Sequence, residues 1–115
     1  MDTKASIEME KAAQILKLFG DKTRLSMMKL LQTNECCVGE LVEIYKASQP
    51  AMSQHLRKLK DIGLVKEKRK GHWIFYSINQ THKHYDFLVG ILDSLPTQDD
   101  RLIKLEKQGL RISCC

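Results

Sequence analysis

Ser48-Gln49-Pro50-Ala51-Met52-Ser53-Gln54-His55-Leu56-Arg57-Lys58-Leu59-Lys60-Asp61-Ile62-Gly63 is the stretch that decides the fold. Ser48 offers an N-cap hydroxyl, and Pro50 falls in the first helical turn, where its missing N–H leaves nothing unsatisfied. Met52, Leu56, Leu59 and Ile62 recur at threes and fours, and Gly63 stops the pattern. Immediately upstream, Val38, Leu41, Val42 and Tyr45 carry the same spacing, with only Lys46-Ala47 between the two segments. Two short helices, the second well capped, predict a helix-turn-helix over about 38–62.

Outward from this unit the periodicity changes twice. Leu64 and Val65 lead into Lys66-Glu67-Lys68-Arg69, then Lys70-Gly71, then Trp73-Ile74-Phe75-Tyr76-Ser77-Ile78. A polar strand, a glycine turn and an aromatic-rich strand predict a β-hairpin, a wing over about 65–78. Trp73, Phe75 and Tyr76 are expected to fasten it to the core. A helix is expected over about 81–95, with Tyr85, Leu88, Val89, Leu92 and Leu95 on one face and Phe87 and Ile91 beside it. That apolar arc is wider than one packing face requires. Pro96 ends it, and 97–115 reads as a tail with one mostly charged helix, closing on Cys114-Cys115. Toward the N-terminus, an apolar stripe predicts a helix over about 6–19, ended by Gly20, and Asp21 is placed to cap the next. The fold class is mainly α with a small β-hairpin: one winged helix-turn-helix domain over 1–115, with extra N- and C-terminal helices.

With 115 residues the chain suits one compact domain. It holds 19 Lys and Arg against 14 Asp and Glu, and no apolar run long enough for a membrane span. MDTKASIEMEKAAQ has no apolar core of a signal peptide, so a cytoplasmic location with reduced cysteines is expected. Seven basic and two acidic residues lie between Arg57 and Lys70, a net +5 equal to the excess of the whole chain. Such a run is often only a solvated face. Here it covers the end of a recognition helix and its wing, and a double-stranded DNA partner is the better reading. Gln49, Ser53, Gln54 and Arg57 lie off the apolar stripe, where Gln and Arg suit base edges in the major groove. Lys58, Lys68, Arg69, Lys70 and His72 are assigned to phosphates, and His55 to either phosphate or packing. No catalytic set or phosphate-cradling glycine loop is present, which argues against an enzyme.

The ordered set Leu18-Phe19-Gly20-Asp21-Lys22-Thr23-Arg24-Leu25, Glu35-Cys36-Cys37-Val38-Gly39-Glu40-Leu41, Ser48 to Leu59, Gly63-Leu64-Val65 and Gly71-His72-Trp73-Ile74-Phe75-Tyr76 resembles the ArsR/SmtB family of metal-responsive winged-helix repressors. The resemblance covers about Met9 to Leu95. It implies a homodimer, joined through the first and last helices, that represses an operon until a metal ion binds. Its arsenic-responsive branch carries Glu-Leu-Cys-Val-Cys-Asp-Leu before the recognition helix. Here Cys37 matches the first cysteine, Gly39 stands in place of the second, and Cys36 is an additional thiol. The zinc-responsive branch places its ligands on the dimer helix, where only His82 matches and Gln80, Asp93 and Pro96 do not.

The four cysteines form two adjacent pairs, Cys36-Cys37 and Cys114-Cys115, with none of the CxxC spacing of tetrahedral zinc. Thiolates select soft ions, and trivalent arsenic or antimony needs only three sulfurs. Cys37 precedes a helix, which predicts a favoured thiolate. Two neighbouring thiols plus one from the tail would suffice, giving arsenite or antimonite as inducer with no permanently bound cofactor. Cadmium, lead, bismuth, a redox or persulfide switch, and a ligand-free architectural role are the alternatives. Equally, Cys36 and Cys37 could be small buried hydrophobes and the second pair an idle tail.

Overall fold

The computed structural model describes residues 7–110. In chain order its elements are α1 (Met9–Phe19), α2 (Lys22–Thr33), β1 (Cys36–Cys37), α3 (Val38–Tyr45), α4 (Gln49–Asp61), β2 (Val65–Lys70), β3 (Trp73–Ile78), α5 (Tyr85–Leu92) and α6 (Asp99–Lys107). The caps fall where the sequence placed them. Asp21 accepts the Arg24 N–H at 3.0 Å, and Ser48 accepts the Ala51 N–H at 3.2 Å. Gly63 adopts φ +78°, and a Cβ there would meet the His82 ring at 3.2 Å, so only glycine ends α4 without strain. Ile15, Phe19, Met27, Met28, Leu30, Leu31, Leu41, Met52, Leu56, Leu59, Leu64, Leu88 and Leu92 are buried together as the core.

Three features depart from the sequence reading. The wing is a three-stranded antiparallel sheet, ordered β1-β3-β2, in which Cys36 pairs with Tyr76 and Cys37 with Phe75. Two residues are too few to show an alternation, so β1 escapes detection by pattern. The helix expected over 81–95 is formed only as α5, Tyr85–Leu92. His82 prevents an earlier start: its Nε2 bonds the Ile62 carbonyl at 3.0 Å, and its Nδ1 accepts the His84 N–H at 2.9 Å. Finally, the segment read as a charged tail docks. Leu102 and Leu105 of α6 are buried, Arg101 stacks over the Tyr45 ring at 5.0 Å, and Ser26 links the Tyr45 hydroxyl to Gln98. Cys114 and Cys115 lie outside the described residues.

Candidate DNA interface and thiol pair

Helix α4 separates its two faces cleanly. Met52, Leu56 and Leu59 are buried, while Gln49, Ser53, Gln54, Arg57 and Lys58 are exposed together on the other side. His55 is not among them. Its Nδ1 lies 3.2 Å from the Arg24 guanidinium, which also donates to the Leu18 carbonyl at 2.8 Å. Burial holds the His55 imidazole below its ordinary pKa, so it is neutral at pH 7. Of its two expected roles, the geometry favours tying α4 to α2 over touching phosphate.

The wing divides its charges by face, because alternate residues of a strand point to opposite sides. Val65, Glu67 and Arg69 pair with Ile78, Tyr76 and Ile74, and this face turns toward α4. There Glu67 bridges Lys60 of α4 at 2.9 Å and accepts the Tyr76 hydroxyl at 2.9 Å. The Lys60 ammonium, then the Tyr76 hydroxyl, hold the Glu67 carboxyl below the usual range, while burial and Glu67 push Tyr76 up to about 12. A cleft of about 280 Å³, lined by Ser53, Arg57, Lys60, Glu67 and Tyr76, separates recognition helix and wing. Lys66, Lys68 and Lys70 share the other face, paired with Ser77, Phe75 and Trp73. Lys68 and Arg69 are exposed, as is His72 in the two-residue Gly71-His72 turn. Lys70, by contrast, is bound to Glu35 and sits 5.4 Å from the centre of the Phe75 ring. It anchors the wing to the segment before β1, a role the sequence had assigned to phosphate binding. Phe75 is buried and Tyr76 packs on the core as expected, but Trp73 is 46% exposed and fastens nothing.

Cys36 and Cys37 are both buried, and neither forms a disulfide. Their placement corrects two expectations. As consecutive strand residues they project to opposite faces: Cys36 joins the main core, while Cys37 lies outside it beside Phe75. The pair therefore does not present two sulfurs to one ion while β1 is zipped to β3. Nor does the start of α3 favour the Cys37 thiolate. Burial raises its pKa above 9.0; the Glu40 N–H opposes this and the Glu40 carboxylate adds to it. Cys37 forms a capping box with Glu40, whose buried carboxylate accepts the Cys37 N–H at 3.0 Å. Among the described residues no three His, Cys, Asp or Glu side chains are placed to hold a metal ion. On the shortened α5, both His82 ring nitrogens are engaged, and Asp93 accepts from Gln32, so no zinc set forms there.

A capped helix-turn-helix followed by a basic wing defines a winged-helix DNA-binding regulator, and no helix of the described residues is long and apolar enough to cross a membrane. Residues 21–67 match the model for the bacterial regulatory protein, arsR family. The chain is 49% identical over 70 residues to an HTH-type transcriptional regulator of Methanocaldococcus jannaschii, covering 60% of this chain and 79% of that protein. It is 35% identical over 85 residues to the arsenical resistance operon repressor of Staphylococcus xylosus, covering 74% and 80%. Among solved structures it is similar to reduced HlyU of Vibrio cholerae (TM-score 0.60, 33% identity, 71% of this chain and 88% of that one). The transcriptional repressor BigR of Xylella fastidiosa gives TM-score 0.62 at 28% identity, covering 77% and 90%. The chain belongs to the arsR family, whose winged-helix regulators bind DNA and are typically dimeric; it is not an enzyme.

Proposed function

We propose that this protein is a homodimeric repressor of an arsenical resistance operon, released from its operator when arsenite or antimonite is bound by Cys37, Cys36 and a thiol of the Cys114-Cys115 pair. The observation that carries the reading is the position of the vicinal thiols on β1, at the junction of α3 and the wing. Relatives named as arsenical resistance operon repressors support the choice of ion. For both sulfurs to reach one ion, β1 must leave β3. That movement removes an edge strand from the wing and the cap from α3, the helix directly before the reading head. Ligand binding and loss of DNA geometry are thus the same event, which is the differential affinity an inducer requires.

A third sulfur is within reach of the chain. Helix α6 ends beside Glu43, Ile44 and Lys46 at the far end of α3. The five residues after Leu110 span at most about 17 Å, while α3, with eight residues, is about 12 Å long. For the dimer, α1 offers Met9 and Leu16, which are 84% and 50% exposed.

The test is release of a fluorescent operator duplex titrated with arsenite, antimonite, cadmium, lead, bismuth or peroxide. Arsenite and antimonite should release it from the native chain and fail with Cys37→Ser, which should still bind DNA. Deleting Cys114 and Cys115 should raise the arsenite required. Release by peroxide alone would replace this reading with a thiol redox switch, and release by nothing would leave a ligand-free DNA binder.

A further inference from the structure

We propose that Trp73 is a DNA-contacting residue of the wing, its indole seating against the minor-groove edge and sugars beside the half-site read by α4. It is the only tryptophan in the chain, it opens β3 directly after the Gly71-His72 turn, and it is 46% exposed. Its cross-strand neighbour Lys70 does not cover it, because that ammonium is held by Glu35 over Phe75. An indole is the largest apolar side chain available, and it is costly to leave in water without a later partner.

The surroundings say what that partner is. Lys68 shares the face of the indole and His72 precedes it in the turn, both exposed, at the end of the 57–70 segment that carries the positive excess of the chain. A second copy docking by this face would bring two such clusters together, a like-charge arrangement. Duplex DNA offers phosphates to the cations and apolar sugar faces to the ring. Its minor groove also presents base acceptors to the single indole N–H. The wing reaches that groove when α4 occupies the adjacent major groove, since Glu67 ties the two elements through Lys60. The proposal rests on DNA binding and is independent of which ion induces release.

The experiment uses the full chain and a duplex of about 30 base pairs enriched by in vitro selection, with room for two half-sites. Anisotropy of a dye on the DNA reports binding; the emission of Trp73 and its quenching by acrylamide report the contact. On saturation, emission should shift to the blue and the quenching constant should fall by about half, as expected for an indole that loses its solvent. Trp73→Ala should weaken binding about tenfold, with Trp73→Phe between the two, and neither should change the dependence on salt, because no phosphate contact is lost. Lys68→Ala, in contrast, should lower the salt slope by about one. DNA bound with unchanged emission and quenching would overturn the role of Trp73 while leaving the DNA reading intact. A failure of anisotropy to report binding would overturn both. Protection of the indole that grows with protein concentration in the absence of DNA would give the surface to a second copy and overturn the proposal.

Discussion

Gln54 and Lys68 are both exposed polar residues, yet their positions assign them different work. Gln54 stands on the outer face of α4 and Lys68 on the wing face turned away from it. Gln54→Ala and Arg57→Ala should each cost about 1–3 kcal/mol on a selected duplex and little on random DNA. Lys68→Ala should weaken both alike, and equal sequence preference in the two classes of variant would refute the assignment. Cys37 has a predictable pH response. Each thiol that replaces a hydroxide of arsenous acid sends its proton off in the departing water, so inducer affinity should be level below about pH 9 and fall as the thiols ionise above it. Stability runs the same way. Folding raises this pKa, so the contribution is complete below the unfolded value near 9.0 and is lost as pH climbs through the folded one. Urea titrations across that window should show native stability falling, with a shallower fall in Cys37→Ser.

At the level of elements, the wing is held at two points: Lys70 to Glu35 on one face, Glu67 to Lys60 on the other. Lys70→Ala should therefore loosen the sheet and speed amide exchange in β1 and β3, with a smaller change in salt slope than Lys68→Ala; the reverse order would return Lys70 to the phosphate contacts. Helices α2 and α4 were legible in advance because Asp21, Ser48, Pro50 and Gly63 act locally, through backbone groups three or four residues away. What stayed hidden depends on distant partners. The β1 strand exists only because Tyr76 and Phe75 come alongside, and the orientation of the two thiols follows from that pairing. The late start of α5 depends on a histidine reaching back twenty residues to Ile62. Leu102 and Leu105 stand at helical spacing, but the charges around them masked a face that α3 covers.

For the molecule as a whole, the wide apolar arc of the helix expected over 81–95 is used in part inside the chain. Leu88 and Leu92 are fully buried, and Tyr85, Phe87, Ile91 and Leu95 pack on the same core. Leu92→Asp would thus unfold the protomer, whereas Leu16→Asp tests association. Sedimentation should show Leu16→Asp as a folded monomer with DNA affinity reduced by orders of magnitude, since one half-site is lost. A dimer of unchanged mass would exclude α1 from the contact. Helix α6 adds a clamp through Arg101 on Tyr45 and the Gln98-Ser26 link, so the helix-turn-helix is braced by the last described helix.

The back-to-back thiols of β1 also govern timing. If only a briefly unzipped strand can offer both sulfurs, arsenite captures a minor state, and its apparent affinity is lowered by the rarity of that state. Stopped-flow release should then accelerate with arsenite at first and level off at the opening rate of β1, beyond which more ion brings no faster response. Weakening the strand should raise that plateau at the expense of tighter repression: ion concentration decides whether the switch moves, and the pairing of β1 with β3 decides how soon.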